Sequence, residues 1–158
     1  MTAPGAAPEV RVVLDTNVWL DWLVFDDRSV APLRAAAADG RIALCIDVAC
    51  ENELERALAY RFYREPLALT VQQACLAACW ASARIVTLVP GSSPRLPKCR
   101  DPDDQKFLEL ARDCGAALLV TRDKALLSLA ARCSATTGFR IITPRSFECE
   151  MAGTQQCA

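Results

Sequence analysis

Hydrophobic positions along the chain switch repeatedly between short solid runs and longer stretches with helical spacing. The run Val10 to Leu14 (VRVVL) is apolar and β-branched and reads as a buried strand. Arg41 to Ile46 (RIALCI), Ile85 to Val89 (IVTLV), Ala117 to Thr121 (ALLVT) and Phe139 to Ile142 read as further strands. Between them, Ser29 to Asp39 is Ala-rich and helical, with Gly40 as its stop. Asp47 can cap a helix that runs through Glu51, Glu53 and Leu54 toward Tyr60. Thr70 to Arg84 carries an apolar stripe of Val71, Cys75, Ala78 and Cys79. The breaker cluster PGSSPRLP follows, then a helix from Pro102 to Cys114 that Gly115 ends. Asp123 opens a short helix over Lys124 to Ala131, and a last one follows Pro144 to about Met151.

Strands alternating with helices imply a mostly parallel sheet covered on both faces, because each parallel connection must cross over. The expected fold class is α/β, a Rossmann-like three-layer α/β/α sandwich. Residues 10–151 are expected to form one domain without repeats, after a disordered lead-in over 1–9 and before a tail over 152–158.

A length of 158 residues suits one domain, and a hydrophobic share of 53% is ample for its core. Eighteen Lys plus Arg against 19 Asp plus Glu leave a net charge of −1, so no global basic footprint marks a bulk nucleic-acid binder. Any nucleic-acid contact must come from a local patch. The longest apolar runs are broken by Arg, Asp or Glu, which predicts no membrane span. MTAPGAAPEV lacks a basic region followed by an apolar stretch, so a cytoplasmic protein is expected. The nine cysteines are odd in number, mostly within apolar segments and without a CxxC pair, and there is no His to complete a zinc site. They are read as buried free thiols of a reducing compartment. The absence of His also removes the usual general base and the Ser–His and Cys–His nucleophiles, leaving carboxylates to carry any chemistry.

In open α/β sheets the ligand site lies beyond the carboxyl ends of the strands. Asp15 follows the first strand in LDTNVWL, and Asp123 follows ALLVT by one residue in VTRDKALL. Asp104, in CRDPDDQKFLELA, starts the helix leading into that strand and so belongs to the same rim. Glu53 lies within two turns of the start of its helix and can look back toward it. Helix capping and dipole effects explain each position singly, and a charge run such as ENELER is ordinarily a solvated face. Four such groups on one rim, read as having no Lys or His partner in these motifs, point to a bound cation, and hard oxygen ligands favour Mg2+ or Mn2+ over zinc.

LDTNVWL, an acidic residue in ELERAL, RDPDDQKFLELA, and LLVTRDKALL followed by ITPRSF together resemble the PIN domain, over roughly Val10 to Phe147. The closest flavour is the subgroup of toxins of toxin–antitoxin modules. The resemblance implies a Mg2+- or Mn2+-dependent ribonuclease with Asp15, Glu53, Asp104 and Asp123 as its carboxylates. Asp15, Asp104 and Asp123 would hold the metal and Glu53 the metal or a water. Asp101 would assist, and Asn17 or Thr121 would orient the ligands. The implied partners are an RNA substrate, a cognate antitoxin protein and a second copy of the chain. Arg95, Lys98 and Arg100, in the loop before Asp104, are the candidate RNA contacts. Arg56, Arg61 and Arg64, interleaved with Tyr60, Phe62 and Tyr63, are expected to be solvated, with the aromatics in the core.

Two rival readings stand beside this one. An aspartyl-phosphate phosphatase also places Asp after its first strand, but needs a second carboxylate where this chain has Asn17. A non-catalytic module would use the acidic pocket to hold a partner's Lys or Arg. Trp19, Trp22 and Phe25, spaced by three, are expected in the core, or in part at a partner groove.

Overall fold

The computed structural model describes residues 9–62, 65–87 and 95–155. The strands are β1 (Val10–Leu14), β2 (Ile42–Ile46), β3 (Arg61–Phe62), β4 (Glu65–Pro66), β5 (Ala83–Ile85), β6 (Leu118–Val120) and β7 (Arg140–Ile142). The α-helices are α1 (Thr16–Leu20), α2 (Ala31–Ala38), α3 (Val48–Ala59), α4 (Leu69–Ser82), α5 (Gln105–Asp113), α6 (Lys124–Leu127), α7 (Ala130–Thr136) and α8 (Phe147–Gln155). A π-helical turn, Asp21–Phe25, extends α1, and 3-10 turns precede α2 (Arg28–Val30), α5 (Pro102–Asp104) and α8 (Pro144–Ser146).

Five strands form one sheet in the order β5-β2-β1-β6-β7, every pair parallel. Consecutive residues Val12, Val13 and Leu14 are buried, as are all five of β2 and all three of β6. Successive strand side chains point to opposite faces, so burial of every residue means helices cover both. This is the expected α/β/α sandwich with a parallel sheet. Phe107, Leu108, Leu110 and Ala111 bury one side of α5, and Leu54 and Leu58 one side of α3. Gly40 and Gly115 end α2 and α5 at φ +70° and +66°, a left-handed conformation that glycine adopts without a Cβ clash.

Several boundaries differ from the sequence pattern. The edge strand β5 occupies Ala83–Ile85, not Ile85–Val89, because its partner β2 ends at Ile46: Ile85 pairs with Ile46, and the Val86 amide donates to the Ile46 carbonyl as the last rung (2.8 Å). Leu88 and Val89 lie outside the described residues. On α4, Cys75 and Cys79 are buried, but Val71 and Ala78 of the expected stripe are exposed. The helix expected over Lys124 to Ala131 is two, broken where the Ser128 hydroxyl donates to the Ala125 carbonyl (2.7 Å). The last helix continues through Gln155, into the segment read as a tail. The lead-in lies outside the described residues apart from Glu9.

Trp19 is buried and packs against half-buried Trp22 (centroids 5.6 Å), whereas Phe25 is exposed and meets Phe62 edge-on. Tyr60 and Arg56 are exposed, which corrects the core placement of Tyr60; Tyr63, Arg64 and the Arg61 side chain lie outside the description. The eight described cysteines are unpaired; seven are buried and Cys149 is exposed. Among the described residues no helix is long and apolar enough to cross a membrane.

Candidate active site

From β1 the chain runs one way to β2 and later returns on the other side to β6, so the strand order reverses between β1 and β6. Parallel sheets open a crevice beyond the strand ends at such a point. Asp15 and Asp123 stand there, after β1 and β6. The Asp15 amide donates to the Val120 carbonyl (3.1 Å), which fixes the two strand ends side by side.

Asp15 is buried, and both its oxygens are engaged. Oδ1 caps α1 by accepting from the Val18 amide (3.0 Å), while Oδ2 accepts from the Thr121 hydroxyl. A cap is worth about 1 kcal/mol. Burial raises the Asp15 pKa even so, and the Thr121, Val18 and Asn17 hydrogen bonds only partly oppose it, with Asp123 adding repulsion. A carboxylate kept against this opposition is more than a cap needs. Asp123 likewise caps α6, its Oδ1 accepting from Leu126 (3.0 Å), and its amide donates to the Thr121 hydroxyl (2.9 Å).

Asp104 ends the 3-10 turn ahead of α5 and is half-buried. Its pKa is pushed up to about 6, first by burial and then by the charges of Asp123, Asp101, Glu53 and Asp15. All four expected carboxylates therefore share one electrostatic neighbourhood. Asp101 caps that turn through the Asp103 amide (2.9 Å). Asn17 is exposed and reaches Asp15 through its backbone.

Glu53 corrects one expectation. It does have a cationic partner within the motifs, since Lys106 of RDPDDQKFLELA ion-pairs with its Oε2 and Thr16 donates to its Oε1 (2.7 Å). Lys106 follows Asp104 by two residues, so the turn that delivers the carboxylate also delivers the cation. Thr16, inside the DTN tripeptide, and Lys106 are site residues that the sequence reading passed over. Arg122 is a third: it ion-pairs with buried Asp21 and reaches Asp27 (3.8 Å), tying the turn before Asp123 to the end of α1.

Among the described residues, no three acidic, thiol or imidazole side chains converge at metal-ligand distance. Their oxygens are drawn instead to Thr121, Lys106 and the helix amides. The donor set is nonetheless hard oxygen only and mutually repulsive, which suits Mg2+ or Mn2+.

A groove of about 790 Å³ lies alongside, between residues 95–99 and one face of α5, with Arg95, Lys98, Lys106 and Arg112 among its walls. Two of the three expected loop cations line it; Arg100 does not. Asp113 holds Arg112 (2.5 Å).

The sequence pattern of the PIN domain matches residues 11–125, most of the chain and all four carboxylates. The protein belongs to the PIN-domain family. No curated protein matches it. In fold it is similar to a chain in the crystal structure of VapBC2 from Rickettsia felis bound to a DNA fragment from their promoter. That likeness has a TM-score of 0.55 at 12% identity and covers 85% of this chain and 98% of the other. PIN domains are generally nucleases that use divalent metal ions, so membership makes a nuclease the coarse assignment of this chain.

Proposed function

We propose that this PIN-domain protein is a cytoplasmic Mg2+- or Mn2+-dependent endoribonuclease cutting single-stranded RNA, the toxin of a toxin–antitoxin module. The observation that carries the reading is the Asp104 carboxyl, pushed up to about 6 with four other carboxylates contributing, at the point where the strand order of the described sheet reverses. Asp15, Asp104 and Asp123 would hold the metal. When bound, a divalent ion supplies an acidified water and offsets charge on the scissile phosphate. The residues of the chain do the rest. Thr121 keeps the Asp15 oxygens oriented, Glu53 aligns a water from the α3 side, and Lys106 offers its ammonium to a phosphate oxygen. No protein nucleophile is needed, in keeping with a chain that lacks His. The groove cations Arg95 and Lys98 would track the RNA backbone into the rim.

The similar fold of a chain from VapBC2 supports a cognate antitoxin as partner, and self-association belongs to the same reading. The test is cleavage of single-stranded RNA with Mg2+ or Mn2+, alongside calorimetric titration of the metal. Asp15→Asn, Asp104→Asn and Asp123→Asn should each lower the rate at least about 100-fold, roughly 2.7 kcal/mol in barrier, with the fold retained. Activity that survives EDTA, or Asp104→Asn at full rate, rejects the assignment. Absence of metal binding, with tight capture of a basic peptide, would favour the non-catalytic module.

A further inference from the structure

Cys45 and Cys114 come from distant parts of the chain, one from β2 and the other from the end of α5, and their thiols lie within reach of each other, while each donates to a nearby carbonyl, Cys45 to Ala43 and Cys114 to Ala111 (both 3.9 Å). Both are buried, yet both line a cavity of about 410 Å³ that Arg11, Arg84, Asp113 and residues 85–87 complete. In the register of the sheet Arg84 is paired with Cys45, so the two side chains stand on the same face. Arg11 donates to the Cys114 carbonyl (2.7 Å), and Arg84 pairs with Glu9 (2.8 Å). Two thiols within reach of each other on the wall of one cavity, with two guanidinium groups beside them, are what a redox-active dithiol requires.

The surroundings also separate Cys45 from the other thiols. Burial pushes up Cys50, Cys75, Cys79, Cys99 and Cys133. Cys45 is instead held down, at about 7, by the hydrogen bond from Cys114 first and by Arg11 and Arg84 after burial is offset, with Glu9 opposing. Cys114 moves the opposite way, because its proton is the one shared.

We propose that Cys45 and Cys114 are a hydroperoxide-sensing pair, Cys45 attacking and Cys114 resolving to a disulfide. The Cys45 thiolate attacks one oxygen of hydrogen peroxide and the O–O bond breaks. The departing hydroxide takes the proton released by Cys45 and leaves as water. Cys114 then attacks the sulfur of the Cys45 sulfenic acid, the S–S bond forms, and the second hydroxide leaves as water with the Cys114 proton. Two thiols and one peroxide give one disulfide and two waters. The new bond ties β2, which leads to the helix of Glu53, to the helix that Asp104 precedes, and it closes a long loop of the unfolded chain.

Treating the reduced full-length protein with a few molar equivalents of hydrogen peroxide, then alkylating and mapping peptides without reductant, tests this. The expected result is a Cys45–Cys114 cross-linked peptide, formed ahead of oxidation at Cys50, Cys79 and Cys133, and a Tm higher by at least roughly 5 °C that dithiothreitol reverses. In Cys114→Ala the Cys45 sulfenic acid should persist and be trapped by dimedone, whereas Cys45→Ser should leave Cys114 reduced. Should Cys45→Ser fail to fold, the wild-type time course and Cys114→Ala still decide. A Cys45 that stays reduced while exposed Cys149 oxidises, or that reaches the sulfinic acid without the cross-link in wild type, overturns the proposal.

Discussion

The Thr121 hydroxyl donates to the Asp15 carboxylate across the ends of two neighbouring strands, and the same oxygen accepts the Asp123 amide (2.9 Å). One side chain thus sets the position of one strand-end aspartate and the backbone of the other. Thr121 is fully buried. Thr121→Ala leaves a buried carboxylate oxygen short of a donor, which should cost about 1–3 kcal/mol of stability. It should also raise the Asp15 pKa further, since this hydrogen bond is the largest effect opposing burial there. Cleavage should fall along with it, and Thr121→Ser should restore both. Chemical denaturation together with a pH–rate profile checks this; an alanine variant with wild-type stability and profile removes Thr121 from the site.

Asp104 predicts a pH dependence whose sign follows from its raised pKa. An ordinary Asp ionises near about 4, whereas Asp104 does so at about 6. Between those values the folded metal-free protein holds a proton that the unfolded chain has lost, so stability falls as pH rises through that window. Asp104→Asn removes this loss. The difference in Tm, variant minus wild type, should therefore grow between about pH 4 and 7 in EDTA, and Mg2+ should raise wild type more than the variant. A difference that stays negative and flat with pH would make Asp104 a structural turn residue.

Lys106 should affect the proposed metal and the proposed RNA in opposite directions. Its ammonium pairs with Glu53 and lines the groove, so it repels a divalent cation and attracts a phosphate. Lys106→Met should tighten Mg2+ binding by up to roughly fivefold, about 1 kcal/mol, and weaken RNA binding. Titration calorimetry and RNA binding to the same variant measure the two. Metal affinity that weakens instead would show that Lys106 organises Glu53 for the ion.

The sheet was legible because parallel strands buried on both faces leave solid apolar runs, as in VRVVL, IALCI and LLV. Asp15, Asp104 and Asp123 were legible because strand-end and helix-start positions follow from the alternation alone. What escaped was set by tertiary contact. β5 stops where β2 stops, a limit that IVTLV does not carry. Lys106 meets Glu53 only once α3 and α5 are brought together. Arg122 looks like a loop cation until Asp21 is buried beneath it. The Cys45–Cys114 contact joins β2 to α5, and no spacing in the sequence announces it.

The groove makes the proposed RNA contacts testable one by one. With a net charge of −1, affinity must rest on few local phosphate contacts, and each lost contact should flatten the salt dependence of binding by about 0.7 in log–log slope. Arg95 and Lys98 line the groove that Lys106 joins to the acidic rim, whereas Arg100 is exposed outside it. The Arg95→Ala/Lys98→Ala double variant should therefore lose about 1.4 in slope. Arg100→Ala should lose little, and so should Arg56→Ala on the exposed side of α3. Metal affinity should change little in all three, since the ion pair recorded for the four site carboxylates is that of Glu53 with Lys106, which all three variants keep. Salt titrations of single-stranded RNA binding in an Asp15→Asn background, where cleavage cannot interfere, give the slopes directly. Equal slopes for the double variant and its parent would mean that the RNA takes another path to the rim, and a large loss in Arg100→Ala would move that path to the outer side of the loop.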